Sequence, residues 1–125
     1  MKKKEITIGG IKVTLAYCYA FEIAFRDYTG QDFSEFIREI QPDDSGNQRQ
    51  ADPKKLLYAI LSAIMAYYQS ADKEPPVTDR TLMFECPPQE LINAFGTVMQ
   101  LYAEWYHVPE GEPKDNDSTG DGAKN

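Results

Sequence analysis

The residues that could do chemistry are few in this 125-residue chain. His107 is its single histidine, and Cys18 and Cys86 are its two cysteines. Nucleophilic catalysis needs a thiol or hydroxyl beside a general base, so an enzyme would have to bring His107 against one of these thiols. His107 ends the last predicted helix, where its cationic form complements the helix dipole. Both thiols have apolar neighbours that suit buried residues. We therefore expect no catalytic site and no enzyme.

Metal and cofactor motifs are also missing from the sequence. One histidine, two separated cysteines and scattered acids match no zinc spacing. The acidic loop of Asp43, Asp44 and Asp52 lacks the alternation of a calcium loop. The pair Gly9 and Gly10 has no further part of a phosphate-binding fingerprint around it. The sequence thus predicts no metal and no cofactor.

The unusual feature is a set of aromatic residues near the C-terminal ends of two predicted helices. The later helix carries Tyr102, Trp105 and Tyr106, and the earlier one carries Tyr67 and Tyr68, with Tyr58 further back. Such rings give a large contact area at low entropic cost and tolerate half-exposed positions. Two interpretations follow. Either the two helix ends pack together at the edge of the core, or they form a groove for a protein partner. The second makes Tyr67, Tyr68, Tyr102, Trp105 and Tyr106 the candidate partner-binding residues.

The charge of the chain limits its partners. Thirteen Lys and Arg oppose 20 Asp and Glu, giving a net charge of −7. This balance argues against binding to nucleic acid or to an anionic membrane surface. Residues 109–125 carry five acids and two lysines and have little apolar content, so we predict an acidic disordered tail there. The preceding residues, 1–108, form one predicted domain with a net charge of −4.

The cellular compartment is inferred from the cysteines and the apolar runs. Two cysteines without a CxxC pair favour free, buried thiols in a reducing cytoplasm, although a disulfide between them stays an alternative. The longest apolar run, residues 56–68, is shorter than the ~20 residues of a membrane-spanning helix. We expect a cytoplasmic protein that does not cross a membrane.

The N-terminal elements are predicted by their hydrophobic periods. Apolar residues alternate on both sides of Gly9-Gly10, which predicts a β-hairpin. Helical spacing follows over residues 17–28, beginning at Tyr17, and Gly30 suits a left-handed helix end. Glu22 and Arg26 are placed for an ion pair on this helix. Asp32 is the predicted cap of a helix over residues 33–40, in a capping box with Glu35.

The C-terminal half predicts three more helices after a loop over residues 41–51. Asp52 and Pro53 give a clear helix start, and the helix runs to about Ser70 and is apolar almost all round, which places it centrally. Thr78 caps a predicted short helix over residues 79–85, and Pro87-Pro88 begins the last helix, which continues toward Pro109. The predicted fold class is mainly α, with an N-terminal β-hairpin packed on a small bundle of four to five helices.

The order of elements and several strings resemble a known family, the tail assembly chaperones of long-tailed bacteriophages and prophages. Residues 6–15 (ITIGGIKVTL), followed by an aromatic-rich helix that ends in Tyr28-Thr29-Gly30, are similar to the start of this family. Residues 59–68, 87–90 and 103–106 look like a branch found in prophages of gut Bacteroidetes. The resemblance covers residues 5–109 and includes no single diagnostic motif.

The resemblance implies a non-enzymatic, mostly helical protein that binds the aggregation-prone tape measure protein. It further implies that the protein helps to recruit tail tube subunits in the bacterial host cell and is absent from the mature virion. An acidic protein with aromatic grooves could shield the apolar stripes of such a client helix. The alternatives are a head–tail adaptor or an acidic DNA-mimic inhibitor, and self-association also stays open.

Overall fold

The computed structural model describes residues 1–42, 44–46 and 51–106. Predictions for Asp43, for His107 and for the acidic tail over residues 109–125 lie outside the described residues. The described chain is mainly α, with an N-terminal hairpin and five helices, and this part of the predicted fold class is confirmed. In chain order the elements are β1 (Lys2–Ile8), β2 (Ile11–Tyr17), α1 (Tyr19–Thr29), α2 (Phe33–Ile40), α3 (Pro53–Ser70), α4 (Asp79–Phe84) and α5 (Pro88–Trp105).

The predicted hairpin is confirmed in an antiparallel register that pairs Ile8 with Ile11 and Lys2 with Tyr17. Gly9 and Gly10 form the two-residue turn with φ of 58° and 80°. Positive φ at both turn positions matches the twist of the two strands, and glycine adopts it without a Cβ penalty. The hairpin contacts α3 and α5, so two helices cover surface that an isolated ribbon would leave in water.

The prediction that Tyr17 lies on the first helix is wrong. Tyr17 is the last residue of β2, fully buried, and α1 begins at Tyr19. The error has a physical origin, because Tyr17 fits two periods at once. It continues the strand alternation of Val13 and Leu15, and it also lies at helical spacing, three and four residues before Ala20 and Phe21 of α1. Both periods fit one residue, and the pairing with Lys2 decides in favour of the strand.

Four phenylalanines from α1 and α2 form an aromatic cluster within the core. Phe21 and Phe25 of α1 pack edge-on against Phe33 of α2, with ring centroids 4.8 and 5.1 Å apart. Phe36 lies 5.7 Å from Phe25, and all four rings are buried. Edge-to-face pairs stabilise aromatic contacts beyond the area they bury, so α1 and α2 are held together by shape as well as by hydrophobicity.

The predicted capping box at Asp32 is wrong, and so is the predicted ion pair between Glu22 and Arg26. Asp32 occupies the N-cap position of α2, but its side chain makes no capping hydrogen bond. Its carboxylate instead accepts a hydrogen bond of 3.2 Å from the Arg26 guanidinium. The cationic donor competes successfully with a backbone N–H, because a charge-assisted hydrogen bond is the stronger of the two.

Helix α3 starts as predicted and is central as predicted. The Asp52 carboxylate accepts a 2.9 Å hydrogen bond from the Lys54 N–H, and Pro53 opens the helix. Residues 59–64 are all buried, and α3 contacts β2, α1, α4 and α5. The hydroxyl of the buried Ser62 donates to the Tyr58 carbonyl at 2.6 Å, so this polar group is satisfied inside the helix.

The last two helices also begin where the sequence predicts. Thr78 caps α4 in a reciprocal capping box with Thr81, and Pro88 opens α5 after Pro87. Glu90 lies in the first turn of α5, where it accepts a 2.8 Å hydrogen bond from the N–H of Gly9. The turn of the hairpin is therefore tied to the N-terminal end of α5.

Candidate protein-binding surfaces

The aromatic residues at the end of α5 pack on the end of β2. The rings of Tyr102 and Tyr106 contact Tyr17 at centroid distances of 5.4 and 6.2 Å, both edge-on. Trp105 contacts Tyr19 at 5.6 Å with perpendicular rings. Tyr19 stays 65% exposed and Tyr106 45% exposed. This cluster thus closes one end of the core and also presents aromatic surface to solvent.

Hydrogen bonds to one carboxylate organise this cluster. Glu22 of α1 accepts from the hydroxyl of Tyr17 at 2.7 Å and also from the hydroxyl of Tyr106. Burial, followed by the bond to Glu22, raises the pKa of Tyr17 well above its usual range. The bond to Glu22 is the main cause that raises the pKa of Tyr106 to about 12. Both phenols are therefore held protonated as donors to a neighbouring anion.

The tyrosines at the end of α3 lie against the hairpin instead. Tyr67 and Tyr68 contact each other edge-on at 4.8 Å. The Tyr68 hydroxyl accepts a 3.2 Å hydrogen bond from the Thr14 N–H, and the Lys3 ammonium lies 5.5 Å from the centre of the Tyr67 ring. Both rings are half-buried.

The five predicted binding residues therefore form two clusters, each packed against the hairpin. No ring contact joins the clusters in the part of the chain that the structure describes. The helices α3 and α5 are themselves in contact, so both interpretations, packing of the two helix ends at the edge of the core and a partner groove, stay predictions. The assignment of Tyr67, Tyr68, Tyr102, Trp105 and Tyr106 to partner binding stays a prediction.

An apolar groove on the described part of the chain is a feature that the sequence analysis missed. It lies between the first half of α3, the short α4 and the first turns of α5, and its volume is about 960 Å³. Lys54 is the one charged residue among those that line it. The lining residues are Ala51, Pro53, Lys54, Leu56, Leu57, Tyr58, Leu82, Met83, Phe84, Cys86, Pro88, Leu91 and Ile92. We call this surface the apolar groove.

Three large apolar side chains around the apolar groove are exposed. Phe84 is 72% exposed, Ile92 55% and Met83 51%. The Arg80 guanidinium lies 5.4 Å from the centre of the Phe84 ring, over its face. Single exposed apolar residues are common on proteins, but a concave surface rimmed by three of them is typical of an interaction site.

The one thiol in the apolar groove is not activated as a nucleophile. Cys86 is half-buried, and its Sγ lies 3.7 Å from Glu90 Oε1. Burial, together with the charge of Glu90, raises the pKa of this thiol. A reactive cysteine needs a lowered pKa, so the raised pKa makes this thiol a poorer nucleophile. The prediction of buried thiols is also too strong, because Cys18 is half-buried as well.

A smaller groove between α1 and α3 offers a comparison surface. Its volume is about 400 Å³, and it is lined by Ile23 and Asp27 of α1 and by Met65 and Gln69 of α3, among others. Ile23 is 63% exposed, close to the exposure of Ile92. The two isoleucines lie on different helices and line different grooves.

The described residues form neither a metal cluster nor a helix that could span a membrane. Within residues 1–42, 44–46 and 51–106, no group of three or more His, Cys, Asp or Glu side chains is placed to hold a metal ion. None of the helices in these ranges combines the length and hydropathy that a membrane crossing requires.

No family model, no curated protein and no solved structure matches this chain.

Proposed function

We propose that this chain is a non-enzymatic tail assembly chaperone of a phage or prophage, which binds an amphipathic helix of the tape measure protein in its apolar groove. It would act in the cytoplasm of the bacterial host, help to recruit tail tube subunits and be left out of the mature virion. The observation that carries the proposal is the apolar groove with Met83, Phe84 and Ile92 exposed around it.

The size of the apolar groove fits two turns of a helix. A helix with side chains is roughly 10–12 Å in diameter, and two turns span about 11 Å, so two turns occupy roughly 900–1,200 Å³. The groove volume of about 960 Å³ is at this scale. Two turns present apolar anchors at positions i, i+3, i+4 and i+7, the spacing by which helices bind in apolar grooves.

The exposed side chains supply part of the binding free energy. Full burial of one such side chain is worth about 1.5–3 kcal/mol, so completing the burial of Met83, Phe84 and Ile92 contributes roughly 3–5 kcal/mol before the cost of association. The remainder has to come from the apolar stripe of the client helix. A client that needs shielding from water is therefore a better ligand than a helix with a polar surface.

The other features of the chain support a soluble holding protein. In this proposal the hairpin packs on the helices as one small bundle and keeps the groove walls in place. The net charge of −7 keeps a complex with an apolar client dispersed in solution. The raised pKa of the Cys86 thiol supports a role without covalent chemistry.

The test is a binding measurement with the tape measure protein encoded in the same gene cluster. Fragments of that protein are titrated into the purified chain by calorimetry. A Phe84→Ala, Ile92→Ala double variant should weaken binding by about tenfold or more, which corresponds to a combined loss of about 1.4 kcal/mol or more from the two apolar contacts. Ile23→Ala is the control, because it removes an isoleucine of similar exposure outside the apolar groove.

A further double variant separates this site from the aromatic clusters. If Trp105→Ala with Tyr106→Ala abolishes binding in a folded protein and the groove variant does not, the chaperone proposal holds and its site is the end of α5. No binding of any tape measure fragment to the wild-type chain would overturn the function itself.

A further inference from the structure

The two edges of the hairpin are not equivalent. In an antiparallel pair, opposite residues either exchange two backbone hydrogen bonds or exchange none, in alternation. The Thr14 N–H donates to the Tyr68 hydroxyl of α3, so it points away from β1, and the pair of Thr14 with Glu5 is one that exchanges none. At Thr14 the outer edge of β2 is thereby covered by α3.

The same alternation opens the outer edge of β1. Lys3 and Thr7 lie two residues on either side of Glu5, so their N–H and C=O groups also point away from β2. All three residues are exposed. No hydrogen bond from any residue in the described ranges ends on these outward backbone groups. β1 therefore presents three donor and acceptor pairs along about 14 Å of strand.

The charge of this edge is opposite to that of the rest of the chain. Residues 1–17 contain four lysines and one glutamate, a net charge of +3, so the other 108 residues carry −10. Three of the lysines, Lys2, Lys3 and Lys4, are consecutive in β1. Lysines on an edge strand oppose pairing with a second basic edge, and they attract a strand of opposite charge.

We propose that the outer edge of β1 accepts an extended acidic segment of a partner protein, which adds a third strand beside Lys3, Glu5 and Thr7. In antiparallel addition the partner places acidic residues opposite Lys4, Lys3 and Lys2, and an apolar residue opposite the half-buried Ile6. This surface is separate from the apolar groove and does not depend on the proposed function.

The test uses a fluorescent peptide of sequence Thr-Thr-Val-Thr-Glu-Glu-Glu and the full chain, followed by fluorescence anisotropy. The wild-type chain should bind it, and binding should weaken as salt is added. Glu5→Pro removes an outward N–H without touching the ladder to β2, so the hairpin should persist and affinity should fall about tenfold or more. Lys4→Glu should also weaken binding, and Lys54→Glu, an equal charge change beside the apolar groove, should not.

A second probe protects the test against misfolding of the Glu5→Pro variant. The same peptide, methylated at all its backbone amides, keeps its charges but has no N–H to donate to a strand, so it should bind the wild-type chain about tenfold more weakly or worse. Equal binding of both peptides would show attraction between charges alone and would overturn the proposal. The proposal would also be overturned if neither peptide bound. It would likewise be overturned if the chain formed a dimer that Glu5→Pro dissociates, because a second copy would then occupy the edge. A DNA oligonucleotide that displaces the peptide from the wild-type chain and still binds the Glu5→Pro variant would assign the edge to nucleic acid and overturn the proposal.

Discussion

The hydroxyl of Tyr17, at the end of β2, donates a hydrogen bond of 2.7 Å to the carboxylate of Glu22 in α1. The ring of Tyr17 is fully buried, and the same carboxylate accepts from Tyr106 after α5. One acceptor therefore joins three segments that are distant in the chain or separated by a change of secondary structure. Hydrogen bonds to a charged partner contribute more to stability than neutral ones do.

Tyr17→Phe is expected to lower the free energy of unfolding by about 1–2 kcal/mol, because it removes the donor from a carboxylate that is itself half-buried. Urea unfolding followed by circular dichroism measures the change. Tyr19→Phe is the control, since the Tyr19 hydroxyl has no hydrogen bond among residues 1–42, 44–46 and 51–106, and its ring keeps the contact with Trp105. Equal losses in the two variants would mean that Glu22 does not join these segments.

The same cluster predicts a loss of stability at alkaline pH. In the folded chain the pKa of Tyr106 is raised from the ordinary 10.0 to about 12, and the pKa of Tyr17 is raised further. Below pH 10 both phenols are protonated whether the chain is folded or not, so their contribution to stability is complete. Above pH 10 the unfolded chain loses these protons first, and stability falls as pH rises toward about 12. Urea midpoints measured over this range should decrease. A Tyr17→Phe, Tyr106→Phe double variant should lose much of that dependence, and an unchanged slope would contradict the assignment.

Local signals in the sequence were sufficient for the helix starts. Asp52 with Pro53, and Pro87 with Pro88, act through groups within a few residues of themselves, so neighbours in space do not alter their effect. Asp32 shows where such signals fail. Its carboxylate can accept a hydrogen bond from either of two donors, a local backbone N–H or the guanidinium of Arg26. Only the relative placement of α1 and α2 decides between them.

The apolar groove could not be predicted for a related reason. Periodicity marks the apolar face of a helix, and it does so for Leu91 and Ile92 of α5. It does not tell which part of that face another element covers. α4 has only six residues and leaves Phe84 and Ile92 in solvent, and this depends on the path of the chain between α3 and α5.

The coverage of the β2 edge by Tyr68 gives a second mutational test. Tyr68→Phe removes the acceptor of the Thr14 N–H and leaves that donor without a partner in a half-buried position. An unsatisfied donor costs about 1–3 kcal/mol, so we expect a loss of about 1 kcal/mol at a site that water can partly reach. Tyr67→Phe is the control, because it removes a hydroxyl from the adjacent ring. The contact of this ring with Lys3 is made through the ring face and should persist. Hydrogen exchange at Thr14 should accelerate in the Tyr68 variant alone, and unaltered exchange there would show that the bond does not protect the edge.

The end of α3 offers a stabilising substitution. Asp72 has a φ of 57°, the single positive φ at a non-glycine residue in the described ranges. The Lys73 N–H bonds the Tyr68 carbonyl at 2.9 Å, and the Asp72 N–H bonds the Gln69 carbonyl at 3.2 Å. These two bonds define a Schellman motif with Asp72 at the left-handed position that glycine usually occupies.

Asp72→Gly is therefore expected to raise the free energy of unfolding by about 0.5–1 kcal/mol. Glycine adopts the positive φ without the steric cost of a Cβ, and its introduction removes a negative charge from the C-terminal end of a helix dipole. The gain is reduced by the greater freedom of glycine in the unfolded chain. Thermal unfolding should show an increase in Tm of a few degrees, roughly 2–6 °C. Asp72→Asn separates the two causes, because it removes the charge and keeps the Cβ. If the asparagine variant matched the glycine variant, the dipole would account for the whole gain and the backbone conformation at this position would carry no strain.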